Sequence, residues 1–416
     1  MFNYFHKRKK ISVSVEYYND VHRQKLNRYA SCSEIQTIVN DGVRIPLAEF
    51  LTYYWFHLKG SGLSGFENYS AIESEFSENL AYLRRFVGFS GSLMTVKAGA
   101  QRLPNEVIEH IGESVALSVV NRIHGLTQAD WSRIDTSSKD KSLDFELASD
   151  GKNLIQVEAK GHFTKSGTNT AKKGLWEKLK DIEAKKLDVR AKSQHLHSVL
   201  LYGAIVSFGA PSPEEIRCWI CDPPAEEMEI DPRAFRLVSR MRFLRDFITL
   251  ISPKSAFSAA LSTRTAALEA LSNPFLLDGV PLKRGSGYPF NYRPLNSWAR
   301  KHSSFMTTKS RVRDFPAGGI VFELSDSELF LIGIREELLN MAANQDFGAI
   351  LDYRVEPYSE SHEVDCAYSQ TRFELSRLPA IIPEAKKGSD GYYRFSLSGE
   401  LHFSDAGLVF GILPLE

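Results

Sequence analysis

Four cysteines in 416 residues are too few and too scattered for a disulfide framework, so the chain is expected in a reducing compartment, the cytoplasm. Cys218 and Cys221 form a lone CxxC, but Cys32 and Cys366 are isolated and a four-thiolate zinc site lacks its second pair. The run Ile-Arg-Cys-Trp-Ile-Cys reads instead as a strand. No apolar run approaches the ~20 residues that cross a bilayer, and no signal-peptide core follows the basic stretch Lys7 to Lys10, so no membrane partner is expected. Net charge is also missing: 51 Lys and Arg balance 51 Asp and Glu, which excludes a uniformly basic coat. HExxH, GxxxxGK[ST] and GxSxG do not occur. Gly60 to Gly65 spells GxGxxG, but an aromatic segment precedes it where a dinucleotide site needs a strand, so it reads as a loop.

What is present is enough apolar content, 43%, for real cores in a chain long enough for several domains. The patterning is mixed. Ile11, Val13, Val15 and Tyr17 alternate as a strand does, and Pro46 to Leu58 reads as an aromatic-rich helix. Pro104-Asn105-Glu106 starts a helix with Asn105 as N-cap, carried on by Ile108, Ile111, Val115, Val119 and Ile123 to Gly125. Trp131 to Asp135 is a short strand, and a second helix over 171 to 193 places Leu175, Leu179 and Ile182 on one side. Val199 to Phe208 is apolar almost throughout, as a buried strand is. From Gly318 the pattern turns to strands, with a helix near Arg335 to Ala343. The fold class is therefore α/β locally and α+β overall. Four regions are expected: 1–96, 97–230, 231–315 and 316–416.

Between the two helices, Asp144 to Gly161 reads as a hairpin whose register decides its chemistry, because side chains alternate and a one-residue slip moves all of them to the other face. A three-residue loop, Ser149-Asp150-Gly151, with the glycine left-handed, pairs Asp144 with Gln156. Leu143, Phe145, Leu147, Ile155 and Val157 then share one face. Asp144, Glu146, Glu158, Lys160 and His162 share the other. Asp144 becomes a diagonal neighbour of Glu158, roughly 5 to 8 Å away between β-carbons. Two carboxylates at that distance suit Mg²⁺, which takes oxygen ligands in an octahedron and keeps several waters. Asp144 and Glu158 are the expected ligands, with the Ala159 carbonyl as a third. Such an ion makes water a usable nucleophile at neutral pH and neutralises charge on a phosphate, while Lys160 orients the water or balances the transition state. The alternative is an amphipathic hairpin whose charged face meets water.

Asp144, Glu158, Ala159 and Lys160 resemble the motif of the PD-(D/E)xK, or restriction-endonuclease-like, nuclease superfamily, though no proline precedes Asp144. The likeness covers about residues 97 to 224, where helix, three strands, helix and strand follow in the family's order. It implies an αβββαβ core with α+β accessory regions at both ends. It further implies a metal-dependent endonuclease using Mg²⁺, or Mn²⁺ in its place, on DNA, in restriction or anti-phage defence. Many relatives carry another acid on the first helix, a part that falls to Glu113, with Glu109 as second choice. A catalytically inactive relative serving as a nucleic-acid-binding or assembly module is the different-class reading.

Two basic stretches fit a nucleic-acid partner. Residues 160 to 192 hold ten Lys or Arg against four acids, Lys172 and Lys173 among them. Residues 283 to 313 hold eight and no acid, including Arg300, Lys301, Arg311 and Arg313, interleaved with Tyr288, Phe290, Tyr292, Trp298 and Phe305. Basic side chains release counterions from phosphates and aromatics stack on bases. A solvated linker anchored by its aromatics is the equal alternative. Whether the chain works with further copies of itself or with a partner defence protein is left open by the sequence.

Overall fold

The alternation of Ile11, Val13 and Val15 builds a strand, β1 (Lys10–Tyr17), with all three side chains buried. Helices α1 (Asp20–Leu26) and α2 (Cys32–Asp41), strand β2 (Val43–Pro46) and helix α3 (Leu47–Thr52) follow. A helix α4 over residues 81–86 leads to a hairpin of β3 (Val87–Ser90) and β4 (Leu93–Val96). The computed structural model describes residues 10–28, 31–54, 78, 81–97, 103–133, 146–164, 175–184, 200–209, 216–221, 231–252, 255–284, 288–290, 304–309, 317–375 and 378–415. They divide into two compact units, one comprising residues 10–54 and 81–239, the other residue 78 and residues 240–415.

The first unit continues with α5 (Asn105–His124), β5 (Trp131–Arg133), β6 (Glu146–Ser149), β7 (Leu154–Thr164), α6 (residues 175–184), β8 (Leu200–Gly209) and β9 (Ile216–Cys221). Its sheet has the order β2-β1-β9-β8-β7-β6-β5. β7 runs parallel to β8 and β1 parallel to β9; the other neighbours are antiparallel. The helix expected from residue 105 forms, with one adjustment at its start. Pro104, extended at φ −56° and ψ 141°, takes the cap position, so Asn105 is the first helical residue rather than the cap. Its end is as expected, at Gly125 in the left-handed conformation, φ 62°. α5 covers one face of the sheet. On the other, Leu175, Leu179 and Ile182 of α6 pack on Ile205, Trp219 and Cys221. Cys218 and Cys221 are thus buried strand residues, and burial pushes the Cys218 thiol up, away from reactive thiolate.

The hairpin departs from its expected register. Glu146 pairs with Val157 and Leu147 with Gln156, across a four-residue turn, Asp150 to Asn153. The Asp150 carboxylate shapes this turn by accepting hydrogen bonds from the Lys152 and Asn153 amides at 2.8 and 2.6 Å, with Gly151 at φ 89°. Burial alone would raise the Asp150 carboxyl. Hydrogen bonds from His124, Asn153 and Lys152 outweigh it and hold the group below the usual carboxylate range. The Arg236 guanidinium then clamps the turn, donating to the Asp150 carbonyl at 3.2 Å and to the buried Asp130 carboxylate at 2.7 Å. The register inferred from alternation fails because it presumes one wet face. Both faces of β7 are covered, and Gln156 and Glu158 are buried alongside Ile155 and Val157.

The expected regional boundaries also shift. β1 and β2 hydrogen-bond into the sheet through β9, so residues 10–54 belong with the unit expected to begin at 97. Helix α7 (Pro232–Ile251) starts in that unit, where Ser239 meets Ser132 at 2.7 Å. Long-range pairing of parallel strands leaves no local trace at the chain positions where a boundary was drawn.

In the second unit, α8 (Ala256–Ala270), β10 (Lys283–Arg284) and β11 (Tyr288–Pro289) precede β12 (Ser304–Lys309), β13 (Ala317–Ser325) and β14 (Glu328–Arg335). After α9 (Glu336–Asn344) and α10 (Phe347–Asp352) come β15 (Tyr358–Ser369), α11 (Gln370–Leu375), α12 (Leu378–Ile381), β16 (Lys386–Lys387), β17 (Tyr392–Phe403) and β18 (Leu408–Pro414). Pairings β12–β13–β14–β18–β17–β15 return to β12, closing a six-stranded antiparallel barrel that leaves β16 outside on β17. Closure removes the exposed edges that strands of this length would present. Val321, Leu331, Val364, Leu401, Phe403 and Val409 fill its interior.

On the outer layer of that barrel His402 is 1% exposed, its Nδ1 2.9 Å from the Ser359 hydroxyl. Burial pulls its pKa down to about 3. The ring is neutral in the folded chain, whereas in the unfolded chain it protonates near 6.5. Between those values the unfolded state binds the extra proton, so stability is full above 6.5 and falls as pH drops toward 3. The slope from this one group is about 1.4 kcal/mol per pH unit. Urea unfolding at several pH values should show a His402→Gln chain losing less stability on acidification than the parent; parallel losses would remove His402 as the cause.

Candidate active site

Strand β7 carries the Glu-x-Lys triplet, and its register with β8 assigns the faces. Lys160 pairs with Ile205, which packs under α6, so Glu158 and Lys160 project on the α6 side. Ala159 and Gly161 alternate to the α5 side. There, a β-carbon on Gly161 would lie 2.0 Å from the Ile108 carbonyl oxygen, and one on Gly112 would lie 2.7 Å from the Gly161 nitrogen. Only two glycines let helix backbone and strand backbone approach this closely. The described pairing of β7 with β6 stops at Val157, one residue before Glu158.

Beyond that point a cleft of about 340 Å³ wraps the end of β7. Asn105, Ile108, Glu109 and Glu113 line it from α5; Ala159 to Phe163 form its floor; Lys178 and Asp181 reach it from α6. Glu158, 1% exposed, does not line the cleft but holds the Lys160 ammonium that does, 2.8 Å from its carboxylate. Burying a carboxylate this deeply costs several kcal/mol in desolvation, which the ion pair with Lys160 offsets in part. Replacing a buried pair of this kind by hydrophobic residues of similar volume is often neutral or stabilising, so its presence is no argument for stability. His162 is half-buried. Burial, then the positive charge of Lys178, holds its imidazole below the ordinary histidine range, against a smaller opposite pull from Glu177. Its ring is therefore neutral at pH 7, and its buried Nε2 has no hydrogen-bond partner among the described residues.

Ala159, Lys160 and Glu113, together with Glu109 and His162, thus come together around one cleft, and Glu158 is joined to it through its ion pair with Lys160. Glu113 arrives from the helix on the opposite face of the sheet to Glu158, round the end of the strand, an approach that the pleat alone does not predict. Asp144 lies outside the described residues, as do Lys172, Lys173, Arg300, Lys301, Arg311 and Arg313. Among the described residues no group of three or more His, Cys, Asp or Glu gathers as a metal site. Lys178 and Asp181 were missed as site residues. Their spacing of three on α6 puts both at the cleft, but sequence shows Lys178 only as one charge in a basic run. Gly161, directly after Lys160 in an otherwise regular strand, was the legible signal of a close backbone approach.

Comparison with protein-family models, with curated proteins and with solved structures returned no match for this chain. The chain is a mixed α/β protein, and no helix among its described residues is long and apolar enough to cross a membrane.

Proposed function

We propose that the chain is a metal-dependent endonuclease that hydrolyses DNA phosphodiester bonds, built on a PD-(D/E)xK core. The observation that carries this reading is the buried Glu158 carboxylate, ion-paired with Lys160 two residues on, which itself lines a polar cleft. The order α5, β5, β6, β7, α6, β8, with the helices on opposite faces, supports the same core. The donors suit a hard cation: the Glu158 carboxylate and Ala159 carbonyl, with Glu113 at the cleft, would hold Mg²⁺ or Mn²⁺, whereas the register that set Asp144 beside Glu158 does not form. Such an ion activates water and neutralises phosphate charge.

The chain's own residues do the rest. Burial and Lys160 hold Glu158 in one orientation, so little reorganisation is needed when substrate enters. Lys160, an ammonium with three donors, can also face the attacking water and the phosphate oxygens where negative charge grows. Water adds to phosphorus, the bond to one sugar oxygen breaks, and that oxygen leaves with a proton. Restriction or anti-phage defence is the setting that goes with this reading, with the basic segments around 172 and 283–313 as further contacts to DNA.

A non-catalytic DNA-binding module is the second reading, favoured by one fact: Lys160 already occupies the carboxylate an ion would need. Plasmid incubation separates the two. With Mg²⁺ supercoiled plasmid should be nicked or linearised, EDTA should stop this, and excess Mg²⁺ should restore it. DNA binding that persists with no cutting under any divalent cation would leave the module.

A further inference from the structure

The cleft has a side that the nuclease chemistry leaves unused. Lys178 projects into it from α6, facing the end of β7, and forms no ion pair with any acid among the described residues. Next to it stands His162, with a buried ring nitrogen lacking a partner. A cation and a neutral ring stand together on this wall, with Asp181 beside them and Glu109 and Glu113 on the α5 side, so an anion entering the cleft is drawn to Lys178 and kept off the three acids. The amide end of α5 opens on the same cleft at Asn105, has no side-chain cap, and adds positive potential there. At about 340 Å³ the space lies at the low end of small-ligand sites, room for one phosphate and its sugar and too narrow for a duplex.

We propose that Lys178 and His162 form the phosphate-holding wall of this cleft, receiving the backbone phosphate of a single nucleic-acid strand drawn over the end of β7 toward Glu158 and Lys160. The proposal rests on the nuclease reading for its substrate, but it can fail separately. Lys178 would supply the charge that displaces counterions. His162, lining the same cleft beside Lys178, would bound the space and fix where the phosphate lies.

Anisotropy with a fluorescein-labelled DNA oligonucleotide in EDTA, over a range of salt, tests the wall without turnover. Lys178→Ala should reduce the slope of log affinity against log salt by about 0.7 for single strands, the value for one lost phosphate contact, while Lys178→Arg keeps it. His162→Asn should weaken binding at every salt with the slope unchanged, because the ring it removes is neutral. In Mg²⁺, Lys178→Ala should lower kcat/KM on the order of 10²-fold with the melting temperature retained. If the parent binds and cuts DNA but Lys178→Ala keeps the full slope and rate, the wall is wrong and the nuclease reading stands. If the parent binds with the Lys178-dependent slope but never cuts, the wall stands and the catalytic reading falls. No DNA binding by the parent overturns both.

Discussion

Replacing Lys160 with methionine is expected to lower Mg²⁺-dependent DNA cleavage by on the order of 10²- to 10³-fold, the loss typical when one preorganised donor is removed from a developing oxyanion. Stability should fall as well. Glu158 is 1% exposed and its carboxylate sits 2.8 Å from the Lys160 ammonium, so the single substitution takes the ammonium away from a buried carboxylate. Breaking such a pair costs about 3 kcal/mol. Two variants disentangle these effects. Adding Glu158→Gln makes the buried group neutral, so the Glu158→Gln, Lys160→Met chain should regain part of the lost stability while staying inactive. Thermal unfolding and plasmid cleavage, measured on the same samples, check both halves. A double variant that recovered cleavage with its stability would mean the pair had only held the fold.

Gly161→Ala should be nearly as damaging, from a side chain of one carbon. The added methyl would meet the Ile108 carbonyl oxygen at 2.0 Å, and backbone cannot rotate aside as a flexible side chain does. Helix α5 would have to lift from β7, carrying Glu109 and Glu113 away from the cleft. Overpacking of this kind costs roughly 3 kcal/mol, at the upper end of its usual range. In a unit of this size the melting temperature should drop by roughly 6 to 12 °C. Gly112→Ala, whose β-carbon would stand 2.7 Å from the Gly161 nitrogen, should act in the same direction and less strongly. Cleavage by either variant should fall further than its melting temperature alone accounts for at the assay temperature. A Gly161→Ala chain melting with the parent would show that the two backbones are not in contact.

Much of the local structure was legible because its causes are local. The 3.6-residue spacing of Ile108, Ile111, Val115, Val119 and Ile123, with Pro104 before and Gly125 after, specifies α5 almost to the residue. The apolar run after residue 199 specifies a buried strand, and the Glu-Ala-Lys triplet specifies where on β7 the candidate chemistry lies. The hairpin register was not legible. Alternation assigns faces only when one face is wet, and here α5 and α6 cover both, so Asp150 and Arg236 settle the turn instead. Nor was the assembly of the sheet, in which β1 reaches β9 across some two hundred positions of chain.

By itself the sequence determined several of the elements, the mixed α/β class and the identity of a candidate acid–lysine pair, since periodicity, caps and neighbouring side chains act within a few residues. Only the tertiary structure decided that Glu158 is buried, that Glu113 comes round from the opposite helix, that Lys178 faces the same cleft, and that the C-terminal strands close into a barrel. Each of those depends on which backbones pair across long stretches of chain, and hydrogen-bonded pairing between distant strands leaves no periodic mark on either one.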